Sequence, residues 1–311
     1  MTETPGSILF ISLSCVGDAV MTTPLLLSLH QHYPDAVIDI VGDRRSSILF
    51  ARCPFAGVIV DKDKSRPGRG VFDLIRRLRR KRYDIIVDVR TELLAYLLRA
   101  GRRYTKLGAR PYGAHAVQQL MGVMHQVHGD APIPPTFLWT SAEDEARAQT
   151  LLQPLGEGRW LALAAGAGGR PAKTWPEHHY VALANALTGV FSGVILLGTD
   201  SDRTVNAAIS RGLDLPCVDL TGKTTLLQVA AVLRRSAFFV GSDSGLGHVA
   251  AAVATPTLTF FSVDRPERVR PWGNRAVWLV GDNQDARNIP VADAVDTIKS
   301  CVGEEEMGNG I

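Results

Sequence analysis

"FFVGSDSGLGHVAAA", residues 238–252, passes from a short apolar stretch through two serines, an aspartate and two glycines into an alanine-rich segment. An apolar run of strand length followed at once by a small-residue helix is the repeating unit of a parallel sheet with helices packed on it. If that helix begins directly after Asp243, the backbone N–H groups of Ser244, Gly245 and Leu246 have no intrahelical partner, and the positive end of the helix dipole stands behind them. Such a turn is an anion site: Gly245 lets a phosphate approach the backbone, and Ala250, Ala251 and Ala252 let the helix pack closely beneath it. Simple capping by Ser242 or Asp243 accounts for one residue of the stretch but does not require the two glycines or His248. His248 reads either as a ligand contact or as a packing histidine.

The same alternation extends outward through the whole chain. In the first half the apolar runs are 8–13, 37–41, 57–60, 84–89 and "TKLGA" at 105–109, with helices expected over 71–82 and 114–127. "GDAPIPPTF" (129–137), with three prolines, then interrupts the pattern and begins a boundary. Runs at 160–165, 193–198, 216–220, 237–242, 255–261 and 276–281 form a second series. The expected fold is α/β: two Rossmann-like, doubly wound domains, 1–145 and 146–311. The tail "GEEEMGNGI" is expected to be disordered. Ligands of such sheets sit beyond the carboxyl ends of the strands, so the residues after each run carry the functional reading.

A chain of 311 residues, 46% hydrophobic and 21% charged, has enough apolar side chain for two cores. The formal charge of +3 is too small to imply nucleic acid. Its distribution says more: no Lys or Arg precedes Arg44, whereas residues 62–83 hold ten. That cluster reads as a solvated helix face or as a site for an anionic partner. Cys15, Cys53, Cys217 and Cys301 are widely spaced and form no zinc or disulfide pattern, which suits a reducing cytoplasm. The N-terminal apolar segment has no basic flank, and Gly17 and Asp18 interrupt it, so neither a signal peptide nor a membrane span is expected there.

Three further strand-end loops carry candidate residues. In "GAGGRPAKTWP" (166–176), Pro171 replaces the third glycine of a dinucleotide fingerprint, which argues against a Rossmann dehydrogenase. Lys173 follows the turn and reads as a phosphate contact or a solvated lysine. Thr174 is the expected N-cap of the next helix, with Pro176 in its first turn. Asp200 and Asp202 follow a strand, where a carboxylate either accepts from ribose hydroxyls or caps a helix. In the first half, Ser14, Cys15 and Gly17 precede Asp18, which reads as a general base on an acceptor hydroxyl or as a helix-start residue favoured by the dipole.

Together these segments resemble glycosyltransferase family 9, the heptosyltransferases of lipopolysaccharide core assembly. "ILFISLSCVGDAVMTTPLLLSL" (8–29) is similar to the family's N-terminal strand, S-x-x-G-D turn and helix. "GAGGRPAKTWPEHHYVALANAL" (166–187) looks like its P-G-A…K-x-W-P element, and "VILLGTDSDR" (194–203) like its LLGG…D/E loop. "VGSDSGLGHVAAAVATPTLTFF" (240–261) looks like its long DSGxxHxAAA signature, and "VDRPERVRPWGN" (263–274) resembles its T-D-P segment. Two departures stand out: no lysine precedes the S-x-x-G-D turn, and "FGPTDP" is replaced by "FFSVDRP" (260–266).

The resemblance implies a glycosyltransferase B fold, with the two domains facing across a cleft. It implies inverting, metal-independent transfer of a heptose from an ADP-sugar to a lipopolysaccharide-type acceptor at the inner membrane surface. No tightly bound cofactor and no nucleic-acid partner is implied, and the protein is expected in the cytoplasm, with peripheral contact at the inner membrane. Asp18 is then the base. Lys173, Asp202, Asp243, Ser244, Gly245, Leu246 and His248 are donor-site residues, and Ser14, Gly17, Lys62, Lys64 and Arg66 belong to the acceptor side. The alternatives are transfer of a hexose or N-acetylhexosamine, and a non-catalytic nucleotide-sugar binding protein.

Overall fold

A computed structural model describes residues 5–62, 68–91, 93–110, 112–166, 168 and 170–308, with side chains as far as 303. Internal packing divides the chain into two units, Met1–Trp139 and Thr140–Ile311. The division falls six residues before the expected one, because the helix at Ala142–Leu152 packs on the second unit's helix at Leu226–Arg234 and starts that unit. Ser141 starts this helix with a reciprocal cap, its hydroxyl accepting from Asp144 N while the Asp144 carboxylate accepts from Ser141 N.

The first unit runs β1 (Ser7–Ile11), α1 (Val16–Met21), α2 (Thr23–His32), β2 (Val37–Asp43), β3 (Ala56–Lys62), α3 (Arg69–Leu78), β4 (Tyr83–Asp88), β5 (Ala100–Thr105) and α4 (Ala116–His128). Its sheet is parallel, in the order β3-β2-β1-β4-β5. β1 and β4 lie at its centre, and their continuous apolar runs are buried on both faces, as expected for strands covered on both sides. The fifth strand is not "TKLGA" but "AGRRYT" (100–105); Lys106–Gly108 form a short 3-10 turn. β5 is an edge strand, so Arg102 and Arg103 can stand in it without an apolar run. α3 is also shorter than expected, ending at Leu78, so Arg79–Arg82 lie beyond it.

The second unit contains α5 (Ala142–Leu152), β6 (Trp160–Ala164), α6 (Glu177–Ala186), β7 (Gly193–Leu196), α7 (Arg203–Gly212), β8 (Cys217–Asp219), α8 (Leu226–Arg234), β9 (Phe238–Ser242), α9 (Gly245–Ala252), β10 (Thr257–Phe261), α10 (Pro266–Val269), β11 (Ala276–Val280) and α11 (Val291–Gly308). Its parallel sheet is ordered β11-β10-β9-β6-β7-β8. α11 runs to Gly308, so most of the tail expected to be disordered is helical; residues 309–311 are outside the described residues. Its buried Val295, Ile298 and Val302 join the same core as Trp175, Tyr180 and Phe260. Among the described residues no helix is long and apolar enough to cross a membrane.

Both strand orders reverse direction once. In the first unit the reversal lies between β1 and β4, and in the second between β6 and β9. The helices leaving the strands on either side of such a point go to opposite faces and leave a crevice at the carboxyl ends. Asp18 follows β1, Lys173 follows β6 and Asp243 follows β9, so each stands beside its own unit's reversal.

Candidate functional site

At the second unit's reversal, Lys173 closes a short 3-10 turn (Pro171–Lys173) after β6. The turn is held by its neighbour Trp175, a fully buried indole whose Nε1 donates to Ile289 O at 3.0 Å and whose ring packs on Phe260. Thr174 does not cap α6: its hydroxyl donates back to Arg170 O at 3.0 Å, and Pro176 occupies the N-cap position. This bracing turns Lys173 inward. The side chain is buried, and its Nζ donates to Asp243 Oδ2 at 2.6 Å and to Asp264 Oδ2.

Asp264 was not among the expected site residues. It lies after β10 in "FFSVDRP", the segment that departs from the family pattern, yet its carboxylate reaches the Lys173 ammonium. The aspartate retained from T-D-P was the available signal. One cation stands between two carboxylates, and the charge of Arg170 also acts on Asp264. Burial lifts the Asp243 pKa above the ordinary carboxylate value, with the lysine opposing and Asp264 reinforcing that shift. The hydrogen bond from Lys173 holds Asp264 below it. For Lys173 burial works against the charge, but bonds to the two carboxylates outweigh it and the pKa rises. Asp243 is the enclosed partner, its side chain 14% exposed; Asp264 is the open one, at 45%.

The anion turn beside this cluster is offset by one residue from the expectation. Asp243 N donates to Phe260 O within the sheet, and Ser244, in extended backbone, occupies the N-cap position of α9. The leading amides are therefore those of Ser244, Gly245, Leu246 and Gly247. Neither Ser242 nor Asp243 caps the helix, and Ser244 places no side-chain cap on it. Gly247 lets α9 approach β10: a Cβ there would lie 3.2 Å from Thr259 Oγ1. Ser244 Oγ and Ser262 Oγ are buried with no hydrogen-bond partner among the described residues. The orphaned Ser244 hydroxyl belongs to the residue whose own amide opens the helix, an arrangement able to receive a polar ligand. His248 is buried within α9.

Asp202 has a structural job. Its Oδ2 accepts from Thr199 N at 2.8 Å and Oγ1 at 2.9 Å, completing the cap ahead of α7, and Gly166 makes room for the carboxyl group. Asp200 pairs with Arg203 at 2.6 Å on the surface.

In the first unit Asp18 stands in the first turn of α1, half-buried, with half-buried Ser14 and Gly17 just before it. The dipole of that turn favours its charge, but burial dominates and raises its pKa, opposed by a hydrogen bond with Cys15 and by the charge of Lys106. A carboxylate with a raised pKa is a stronger proton acceptor than an ordinary one. Lys62 ends β3, half-buried; Lys64 and Arg66 lie outside the described residues.

Two doubly wound units, each with its candidate residues at the strand-order reversal, define the glycosyltransferase B class. The sequence profile of "Glycosyltransferase family 9 (heptosyltransferase)" matches residues 71–298. The chain belongs to that family and is a glycosyltransferase. Lipooligosaccharide heptosyltransferase 2 of Haemophilus influenzae is 28% identical, with 87% of each chain covered. Among solved structures, a family 9 glycosyl transferase from Veillonella parvula superposes with a TM-score of 0.86 at 17% identity, covering 96% of this chain and 97% of that one. The E. coli ADP-heptose lipopolysaccharide heptosyltransferase II does so with 0.78 at 23%, covering 96% and 99%.

Proposed function

We propose that the protein transfers a heptose from ADP-heptose to a lipopolysaccharide-core acceptor presented at the inner membrane surface, inverting the anomeric centre. Its relatives, a lipooligosaccharide heptosyltransferase and an ADP-heptose lipopolysaccharide heptosyltransferase, support the donor and acceptor classes. The observation that carries the reading is the Lys173 ammonium, buried at the second unit's strand-order reversal beside the amides that open α9.

In this reading the donor diphosphate lies against the amides of Ser244, Gly245, Leu246 and Gly247, with Ser244 Oγ as a further donor. Lys173 completes the cradle when the phosphate displaces the exposed carboxylate of Asp264. Asp243 keeps the ammonium in place. The acceptor oxygen attacks the anomeric carbon while the bond from that carbon to the phosphate oxygen breaks. Its proton passes to the Asp18 carboxylate, and the bonding pair leaves with ADP. The sugar carries oxocarbenium character between the two events, and charge grows on the diphosphate where amides and ammonium are already aimed. Asp202 serves as the cap of its loop rather than as a sugar contact. Neutralisation of the leaving group falls to the protein, so turnover is expected to persist in a chelator.

The test is a panel of nucleotide-sugars incubated with the protein, with and without a lipopolysaccharide-core acceptor, followed by nucleoside diphosphate release. Acceptor-dependent release from ADP-heptose alone is the expected result. Equal release from UDP-hexoses would move the donor assignment, and ADP-heptose turnover abolished by chelator would end the metal-independent part.

A further inference from the structure

One face of the first unit's sheet is covered, among the described residues, by α3 and the segment linking β4 to β5. On it Leu9, Ile11, Val41, Val60 and Ile86 share a core with Leu74 and Leu78 of α3 and with Leu94, Ala95 and Leu98 of the linking segment. That linking segment, which includes a 3-10 turn at Leu94–Leu97, turns its other large side chains outward: Leu93 is 72% exposed, Tyr96 55% and Leu97 46%. On α3, Phe72 is 64% exposed and shares a helix edge with Arg76 one turn on, an edge continued by Arg79, the residue that caps the helix. Arg79 Nε donates to Leu97 O at 2.8 Å, which places that edge against the turn. From the other side Arg103 donates to Ala95 O at 2.9 Å and Leu98 O at 2.8 Å. The carbonyls of Ala95, Leu97 and Leu98 are thus satisfied by guanidinium groups, and the side chains of Leu93, Tyr96 and Leu97 are left facing out.

The charge of α3 and the segment after it is predominantly positive. Residues 69–82 contain six arginines and one lysine against the single acid Asp73. Lys81 is engaged by Asp39 at 2.8 Å, while Arg76, Arg77, Arg80 and Arg82 are exposed. Guanidinium groups bind phosphate oxygens in pairs and are less strongly hydrated than ammonium groups, so an arginine-dominated rim suits phosphate esters. Apolar side chains with a tyrosine among them, ringed by arginines, have the make-up of a surface that enters the headgroup layer of a bilayer. A protein partner of ordinary composition would supply the apolar contact but not the phosphate density that so many arginines match.

We propose that the surface formed by Phe72, Leu93, Tyr96 and Leu97, with the arginines of α3 and the segment after it, docks the protein on an anionic phospholipid bilayer. The apolar side chains insert at the headgroup boundary, and the arginines hold lipid phosphates around them. This deepens the acceptor reading above and rests on it only for why a bilayer should be nearby. The lysines expected to draw in the acceptor, Lys62 and Lys64, are not needed for it.

The test is sedimentation of the full chain with vesicles of phosphatidylethanolamine and phosphatidylglycerol, and with vesicles of phosphatidylcholine alone. Neither donor nor acceptor is present, so failure here and failure of the transferase reading are told apart. The expected result is binding to the anionic vesicles that weakens with salt and is much lower on phosphatidylcholine. The triple variant Leu93→Ser/Tyr96→Ser/Leu97→Ser should lose at least about tenfold in partitioning. Arg76→Gln/Arg80→Gln should lose the preference for anionic lipid. ADP binding and the thermal melt of both variants should match the parent, which separates lost docking from lost folding. Variants that sediment like the parent overturn the proposal. So does binding that appears only when the acceptor lipid is added, or a wild-type dimer that the triple variant dissolves, which would make the patch a self-association surface.

Discussion

At the β1–α1 junction of the first unit, Asp18 stands inside the first turn of the helix; at the β9–α9 junction of the second, Asp243 stands two residues ahead of it. Both junctions lie beside a strand-order reversal and both put small residues next to the aspartate. The offset changes the chemistry. A carboxylate within the turn is itself the anion that the helix end receives, and burial then raises its pKa and prepares it to take a proton. A carboxylate ahead of the turn leaves the amides open for an external anion and is free to hold a cation, Lys173, beside them. On the proposed reading, one junction becomes a proton acceptor and the other an anion receptor, from nearly the same materials.

The largest expected effect comes from removing the charge of the first junction. Asp18→Asn should lower turnover by about 10²- to 10⁴-fold, the usual worth of a general base, while calorimetry finds ADP affinity unchanged. Turnover like the parent's would dissolve the contrast and leave Asp18 a helix-start residue. Next is the second junction: Lys173→Met should weaken ADP binding about ten- to a hundredfold, since hydrogen bonds to charged groups are worth about 1.5–3 kcal/mol. Unaltered affinity would place the diphosphate elsewhere.

A smaller change of opposite sign is expected at Asp264, the exposed carboxylate on the same ammonium. Asp264→Asn should tighten ADP binding by about two- to fivefold, in proportion to the modest strength of exposed ion pairs. Weaker binding would show instead that Asp264 orients Lys173 for the ligand. The smallest effect sharpens the first junction. A nearby cation favours the charged form of Asp18, so Lys106→Met should raise that pKa further. Asp18 must be ionised to accept the proton. The acid limb of the kcat/KM profile should therefore move to higher pH, by up to about one unit.

The central strands were legible because strands buried on both faces must be continuous apolar runs, and 8–13, 84–89, 160–165 and 237–242 are such runs. β5 was not, because an edge strand can carry Arg102 and Arg103, and its periodicity is then lost in the charge. Asp243 could be picked out because it directly follows a recognisable strand, and Asp18 and Lys173 because each lies within ten residues of the end of one. What could not be read was the company they keep. Asp264 is ninety-one residues from Lys173 along the chain and sits in a segment that differs from the family pattern, so only tertiary structure brings the two together. The start of α9 slipped by one residue for a local reason: Ser244 takes an extended conformation that its sequence neighbourhood does not announce.

The indole of Trp175 fastens the Lys173 turn to Ile289 O, near the far end of the chain. On the ribosome, residues 166–176 emerge well before that carbonyl exists, so the lysine has no fixed address until the stretch around residue 289 has been translated. A nascent chain halted earlier would carry the first unit's Asp18 turn complete and the Lys173 turn without its Trp175–Ile289 tie. On the proposed reading, the grip on the donor is therefore acquired only late in synthesis.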